Sequence, residues 1–156
     1  MPGHLREGRL LNPDFRDMLS AFSDERVEFM VVGAFALAAH GVVRATGDID
    51  LWIQRSAENA DRVLRALVRF GAPVSTINRD DLQAPDTVLQ IGVAPSRIDI
   101  LTSIDGLDFA DAEANREYIQ VEELQIPVIG RADLIANKKA SGRPQDLTDV
   151  ELLEGS

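Results

Sequence analysis

The chain has 156 residues, 45% of them hydrophobic, which is apolar material enough for one core and a single domain over residues 1–156. Its 26 acidic against 16 basic residues leave a net charge of −10, a surface that repels phosphate backbones and argues against non-specific nucleic-acid binding. Cysteine is absent, so neither a disulfide framework nor a thiolate metal site is available; no apolar run approaches the roughly 18 residues of a membrane span, and no signal-peptide h-region opens the chain. The expectation is a soluble, cytoplasmic protein with no membrane partner.

Residues 1–11 are polar, with Gly3 and Gly8 among them, and read as loose unless a partner orders them. Asn12-Pro13 then looks like a helix N-cap with proline at the first helical position, and Phe15, Met18, Leu19 and Phe22 follow at helical spacing, so a helix is expected over 13–24. Residues 27–33 read as a buried strand through Phe29-Met30-Val31-Val32, broken at Gly33. Ala34 to His40 has strong helix propensity and is closed by Gly41. A strand running through glycine into a helix leaves free N–H groups at Gly33 and Ala34 that suit an anion such as phosphate. His40, at the end of that helix, suits the dipole better than it suits a ligand role.

The next strand carries the chemistry. In Asp48-Ile49-Asp50-Leu51-Trp52-Ile53 the aliphatic residues fall on one parity and Asp48, Asp50 and Trp52 on the other. Asp48 and Asp50 then lie side by side, roughly 6.6 Å apart along the strand. A structural strand gains nothing from two such charges, whereas a hard divalent cation wants oxygen ligands of this kind. Trp52, on the acid face, could stack on a base, but such a residue more often closes a core edge.

Ser56 is a good N-cap for an amphipathic helix lined by Val63, Leu64, Leu67 and Val68 and ended by Gly71. Residues 73–86, broken by Pro73 and Pro85, read as a loop. Strands are expected over 88–93 and 97–102, joined by a tight turn at 94–96, with Asp99 facing away from Ile98 and Ile100. A short helix over 110–115 and an accessory hairpin over 117–121 and 124–129 follow, Pro127 suggesting a sheet edge. A helix over 131–142 and a last one opening at Arg143-Pro144 complete the chain. The fold class is α/β (α+β): a mixed, twisted sheet of about four or five strands with helices packed mainly on one face.

Gly33-Ala34 followed by Arg44-x-Thr46-x-Asp48-x-Asp50 resembles the signature of the polymerase-β-like nucleotidyltransferase superfamily. Ala34 stands where that family usually has Ser or a second Gly, so a hydroxyl contact to phosphate is missing while the backbone N–H remains. The tail, Asp133-Leu134-Ile135-x-x-Lys138 and then Gly142-Arg143-Pro144-x-Asp146-Leu147-x-Asp149, is similar to the C-terminal block of nucleotidyltransferases of the AbiEii/AbiGii toxin type and related uncharacterised proteins.

What this resemblance implies is a nucleotidyltransferase-like domain moving an NMP group from an NTP to an acceptor hydroxyl on a protein, RNA end or small molecule, in a toxin–antitoxin or defence setting with an antitoxin-like protein partner. It implies a third carboxylate on a later strand, which Asp99 fits. Asp48, Asp50 and Asp99 would be the catalytic and metal-holding residues for Mg²⁺ or Mn²⁺, and Gly33, Ala34, Arg44, Thr46, Lys138, Arg143 and Asp146 the nucleotide-binding set. Taken as residues alone, Lys138 shares the inward edge of its helix with Leu134 and Ile135, either snorkelling or aimed at a phosphate. Arg143 could clamp a phosphate or satisfy helix carbonyls, and Asp146 is also simply a good first-turn acid. The competing class is a nucleotide- or partner-binding module of the same fold without turnover. A two-metal phosphohydrolase is disfavoured because the chain offers only His4 and His40 as imidazole ligands.

Overall fold

The computed structural model describes residues 4–5, 12–43, 47–93 and 96–155. In chain order the elements are β1 (His4–Leu5), α1 (Pro13–Asp24), β2 (Phe29–Val32), α2 (Gly33–Ala39), β3 (Asp48–Ile53), α3 (Ala57–Phe70), β4 (Val88–Ile91), β5 (Arg97–Leu101), α4 (Phe109–Ala114), β6 (Glu117–Val121), β7 (Leu124–Val128), α5 (Arg131–Ser141) and α6 (Pro144–Glu154). The seven strands of the described residues form one mixed sheet in the order β1-β6-β7-β2-β3-β5-β4.

The helix ends follow local chemistry. Asn12 accepts from the Asp14 N–H at 2.8 Å and Pro13 fills the first turn of α1. Ser56 accepts from Asn59 N–H at the start of α3, and Gly71 and Gly142 end α3 and α5 in the left-handed conformation that glycine adopts without strain.

Opposed residues of neighbouring strands share a face, and this sorts the molecule into two sides. Phe29 pairs with Ile53 and Val31 with Leu51 across β2–β3, while Ile49 pairs with Ile98 and Leu51 with Ile100 across β3–β5. This aliphatic side is buried under the two longest helices: the Phe22 ring of α1 meets Phe29 edge to face at 5.0 Å, and α3 packs on α1. Each such fully buried side chain contributes about 1.5–3 kcal/mol. The other side carries Asp48, Asp50 and Trp52 of β3. Trp52 is only 1% exposed and packs edge to face on Phe109 of α4 at 5.1 Å, so it closes the core and offers no base-stacking surface.

Three features of the sheet depart from the sequence reading. His4–Leu5 pairs in parallel with Tyr118 and Ile119 of β6, where a loose tail was expected. The hairpin β6–β7 is not an accessory but joins the main sheet, which raises the strand number above four or five. Pro127 consequently lies between two strands and not at an edge. Its nitrogen shares the parity of Ile129, whose N–H donates to Val31 O at 3.1 Å, so proline turns its donorless side towards β2. The β2–β7 ladder is accordingly confined to the single register pair Val31–Val128, and below it a cavity of about 210 Å³ opens between α1, Phe29 and residues 124–127.

The expected loop over 73–86 has one short 3-10 turn at Val74–Thr76 and is anchored by Leu82, 1% exposed. No helix among the described residues is long and apolar enough to cross a membrane.

Candidate active site

β3 and β5 run parallel and in register, pairing Asp48 with Arg97 and Asp50 with Asp99. Partners in a ladder project on the same side, so the three acids and one arginine form the corners of a square on the face opposite the aliphatic core. Arg97 closes it. Its Nη2 donates to Asp48 Oδ2 at 2.8 Å and to Asp99 Oδ2 at 3.1 Å, and its Nε donates to Asp99 Oδ1 at 3.1 Å. The hydrogen bonds that Arg97 donates to Asp99, and then that carboxylate's charge, raise the Arg97 pKa above its ordinary value.

Asp50 has a different environment. Burial first, then the charges of Asp99 and Asp48, push its carboxyl up to about 6. Gly33, the first residue of α2, lies directly against it: a Cβ at position 33 would collide with Asp50 Oδ2, and Gly33 has φ +71°. Ala34 follows, half-buried, in the first turn of α2. Arg44 and Thr46, the remaining members of the first block, lie outside the described residues.

Asp50 and Gly33 line a cleft of about 250 Å³ whose opposite wall includes Lys138 and Arg143. The α5–α6 turn builds that wall. Lys138 Nζ lies 3.3 Å from Asp146 Oδ1 and 3.1 Å from Asp149 Oδ2, and Arg143 Nε donates to Asp146 Oδ2 at 2.7 Å. Both acids are buried, at 2% and 0% exposure, so they demand cationic partners, and Lys138 is fixed by that demand. Burial pushes the Asp146 carboxyl up, yet hydrogen bonds from Arg143 and Lys138 outweigh it and hold the group below its ordinary value. The loop after β5 locks the same wall from the other side: Asp105 O accepts from Asn137 and Asp105 Oδ2 accepts from Ser141.

The structure therefore brings Gly33, Ala34, Asp48, Asp50 and Asp99 to one end of the sheet and sets Lys138, Arg143 and Asp146 across a cleft from them. Among the described residues, no three His, Cys, Asp or Glu side chains are drawn together as ligands of an ion; the oxygens of Asp48 and Asp99 turn to Arg97 instead. His40 is remote from this group in role: its Nε2 lies 2.8 Å from Ile129 O and 3.7 Å from Glu117 Oε2, tying the end of α2 to the segment after β7.

Two residues escaped the sequence reading. Arg97 was visible as a strand member, and its spacing of two from Asp99 already placed a cation on the acid face. Asn59, 1% exposed, donates to Glu28 O and Gln54 O and accepts from Glu28 N–H, clamping the start of β2 to the end of β3. No local pattern announces that pairing.

Comparison with protein-family models gives no match, and comparison with curated proteins gives none either. Among solved structures, the chain is similar to a protein of Thermotoga maritima whose nucleotidyltransferase activity is itself an inference: the TM-score is 0.60 at 17% sequence identity, covering 94% of this chain and 94% of that one. At this identity the likeness is one of fold, and the chain has the nucleotidyltransferase-like fold.

Proposed function

We propose that the protein is a metal-dependent nucleotidyltransferase. The observation that carries this reading is the convergence of Asp48, Asp50 and Asp99 on one face, with Gly33 against Asp50 and a cleft leading to Lys138 and Arg143. By the chemistry of its donors, an all-carboxylate set fits a hard divalent cation. Asp48, Asp50 and Asp99 are the residues that would hold Mg²⁺ or Mn²⁺, which when bound neutralises phosphate charge and favours a nucleophilic oxygen.

The chain's own groups do the positioning. The N–H groups at the start of α2 and the cations across the cleft take the β- and γ-phosphates of the NTP. The Asp99 carboxylate takes the proton of the acceptor hydroxyl as its oxygen bonds to the α-phosphorus and the bond to pyrophosphate breaks. Catalysis of this kind needs placement and charge compensation more than a covalent nucleophile, consistent with a chain that has no cysteine. The acidic surface favours a protein or small-molecule acceptor over bulk nucleic acid, and the tail block favours a toxin-type role with a protein antitoxin.

The test is incubation with each α-labelled NTP, Mg²⁺ and a cell lysate, followed by identification of the labelled species. A second reading, a nucleotide-binding module without turnover, is favoured by one observation: Arg97 and Lys138 are both already engaged by carboxylates of the chain. Label transferred to nothing, with NTP still bound, would select that reading.

A further inference from the structure

Resting on the reading that these carboxylates hold a divalent cation, we propose that Arg97 is a resident counter-ion that the incoming metal must displace, so that metal and nucleotide bind cooperatively. Asp99 accepts from Arg97 through both oxygens, and Asp48 through Oδ2. Those oxygens are among the ones a cation would need, since Mg²⁺ sits at about 2.0–2.1 Å from carboxylate oxygens and tolerates little departure from octahedral geometry. A guanidinium forked onto the same oxygens excludes the ion sterically, and its positive charge opposes the ion electrostatically.

Displacement leaves Arg97 without its two carboxylates, at a side chain 35% exposed and hence able to swing. A triphosphate supplies the replacement, because guanidinium pairs with phosphate oxygens in the same forked manner. Metal alone then meets full competition from Arg97, whereas metal with nucleotide meets a released arginine that has gained a partner. By reciprocity each ligand tightens the other by the same factor. The arrangement keeps the acids compensated in the resting protein and assembles the ion site only when nucleotide arrives.

The test measures Mn²⁺ binding by the electron paramagnetic resonance of free Mn²⁺, with and without a non-hydrolysable ATP analogue, for wild type, Arg97→Gln and Arg97→Gln/Asp99→Asn. We expect wild type to bind Mn²⁺ alone weakly and at least about tenfold more tightly with the analogue. Arg97→Gln should bind Mn²⁺ alone about tenfold more tightly than wild type, the factor that about 1.4 kcal/mol of competition represents, with little further gain from the analogue. Asp99→Asn in that background should remove the gain.

Equal or weaker Mn²⁺ binding in Arg97→Gln overturns the displacement, since Arg97 would then be orienting the carboxylates. Absence of Mn²⁺ binding in every protein, with or without the analogue, overturns the metal reading itself. Because Arg97→Gln can fail to fold, a second measurement uses wild type: on Mg²⁺ titration with the analogue present, the Nε–H resonance of Arg97 should lose its protection from solvent exchange. Persistence of that protection at saturation would equally overturn the proposal.

Discussion

Gly33 and Asp50 compete for one volume: the space a Cβ would take at position 33 is held by Asp50 Oδ2. The glycine of the first block is thus required twice, for its φ of +71° and for the room it leaves to a carboxylate. Gly33→Ala should cost about 1–2 kcal/mol from backbone strain alone, and more from the collision. In an Asp50→Ala background the collision disappears while the strain stays. Chemical denaturation of both singles and the double should therefore give a coupling of about 0.5–3 kcal/mol, and strict additivity would refute the relationship.

The raised pKa of Asp50 has a sign. A carboxyl at about 6 when folded and near its ordinary value of 3.8 when unfolded holds its proton more tightly in the folded state. Its contribution is full below pH 3.8, is lost as pH rises through about 6, and above that the ionised group destabilises the metal-free protein by on the order of 3 kcal/mol. Asp50→Asn keeps the shape without the charge. Without added metal, urea melts should find this variant more stable than wild type at pH 8, with the advantage shrinking towards pH 4. An advantage independent of pH would show that charge is not its source.

Ligand should invert that ranking. Binding only to the folded state stabilises by RT ln(1 + [L]/Kd), about 2.7 kcal/mol at a hundredfold excess over Kd. Wild type should melt higher with Mn²⁺ plus NTP at pH 8, and Asp50→Asn should lose most of the increment. An equal increment in both would remove Asp50 from the ion site.

Lys138 and Lys139 are neighbours with opposite prospects. Lys139 is 56% exposed and lies 3.6 Å from Glu154, a surface pair worth at most about 1 kcal/mol. Lys138 is 11% exposed and bound to buried Asp146 and Asp149. Lys138→Ala should cost about 1–3 kcal/mol of stability, and in transfer assays run below its melting temperature it should lose about 10²–10³ in kcat. Lys139→Ala should change neither. A Lys138→Ala protein destabilised but fully active would reduce this lysine to a structural role.

The sequence made legible what is encoded within a few residues. Asn12-Pro13 and Ser56 start α1 and α3 where their side chains cap them, and the alternation of β3 and β5 puts Asp48, Asp50 and Asp99 on the face away from Ile49 and Ile98. What escaped depends on strand partners distant in the chain. Pro127 suggested an edge because a missing N–H usually marks one; the sheet accommodates it internally by leaving the ladder short. Lys138 showed its inward direction from helical spacing, but its two buried acids, eight and eleven residues on, emerge only when α6 folds back on α5. Arg97 gained its meaning only from the register that sets it opposite Asp48.

The abbreviated β2–β7 ladder gives the sheet a seam, and a seam is where native-state opening begins. With one register pair and the adjoining Ile129–Val31 bond across it, strands β6 and β7 can separate as a sub-global unit while β2, β3, β5 and β4 keep their full ladders. In native-state hydrogen exchange, the amide of Ile129, which bonds across the seam to Val31, should lose protection at lower denaturant than those of Leu51 and Ile100. The acids stand on the β3–β5 side, which keeps its full ladders, and the chain reaches the Lys138 wall only after crossing the seam. Asp105 ties α5 to the loop after β5 through Asn137 and Ser141. Opening of the seam would therefore leave the acids and the Lys138 wall facing each other, so the site is insulated from the weakest line of the sheet.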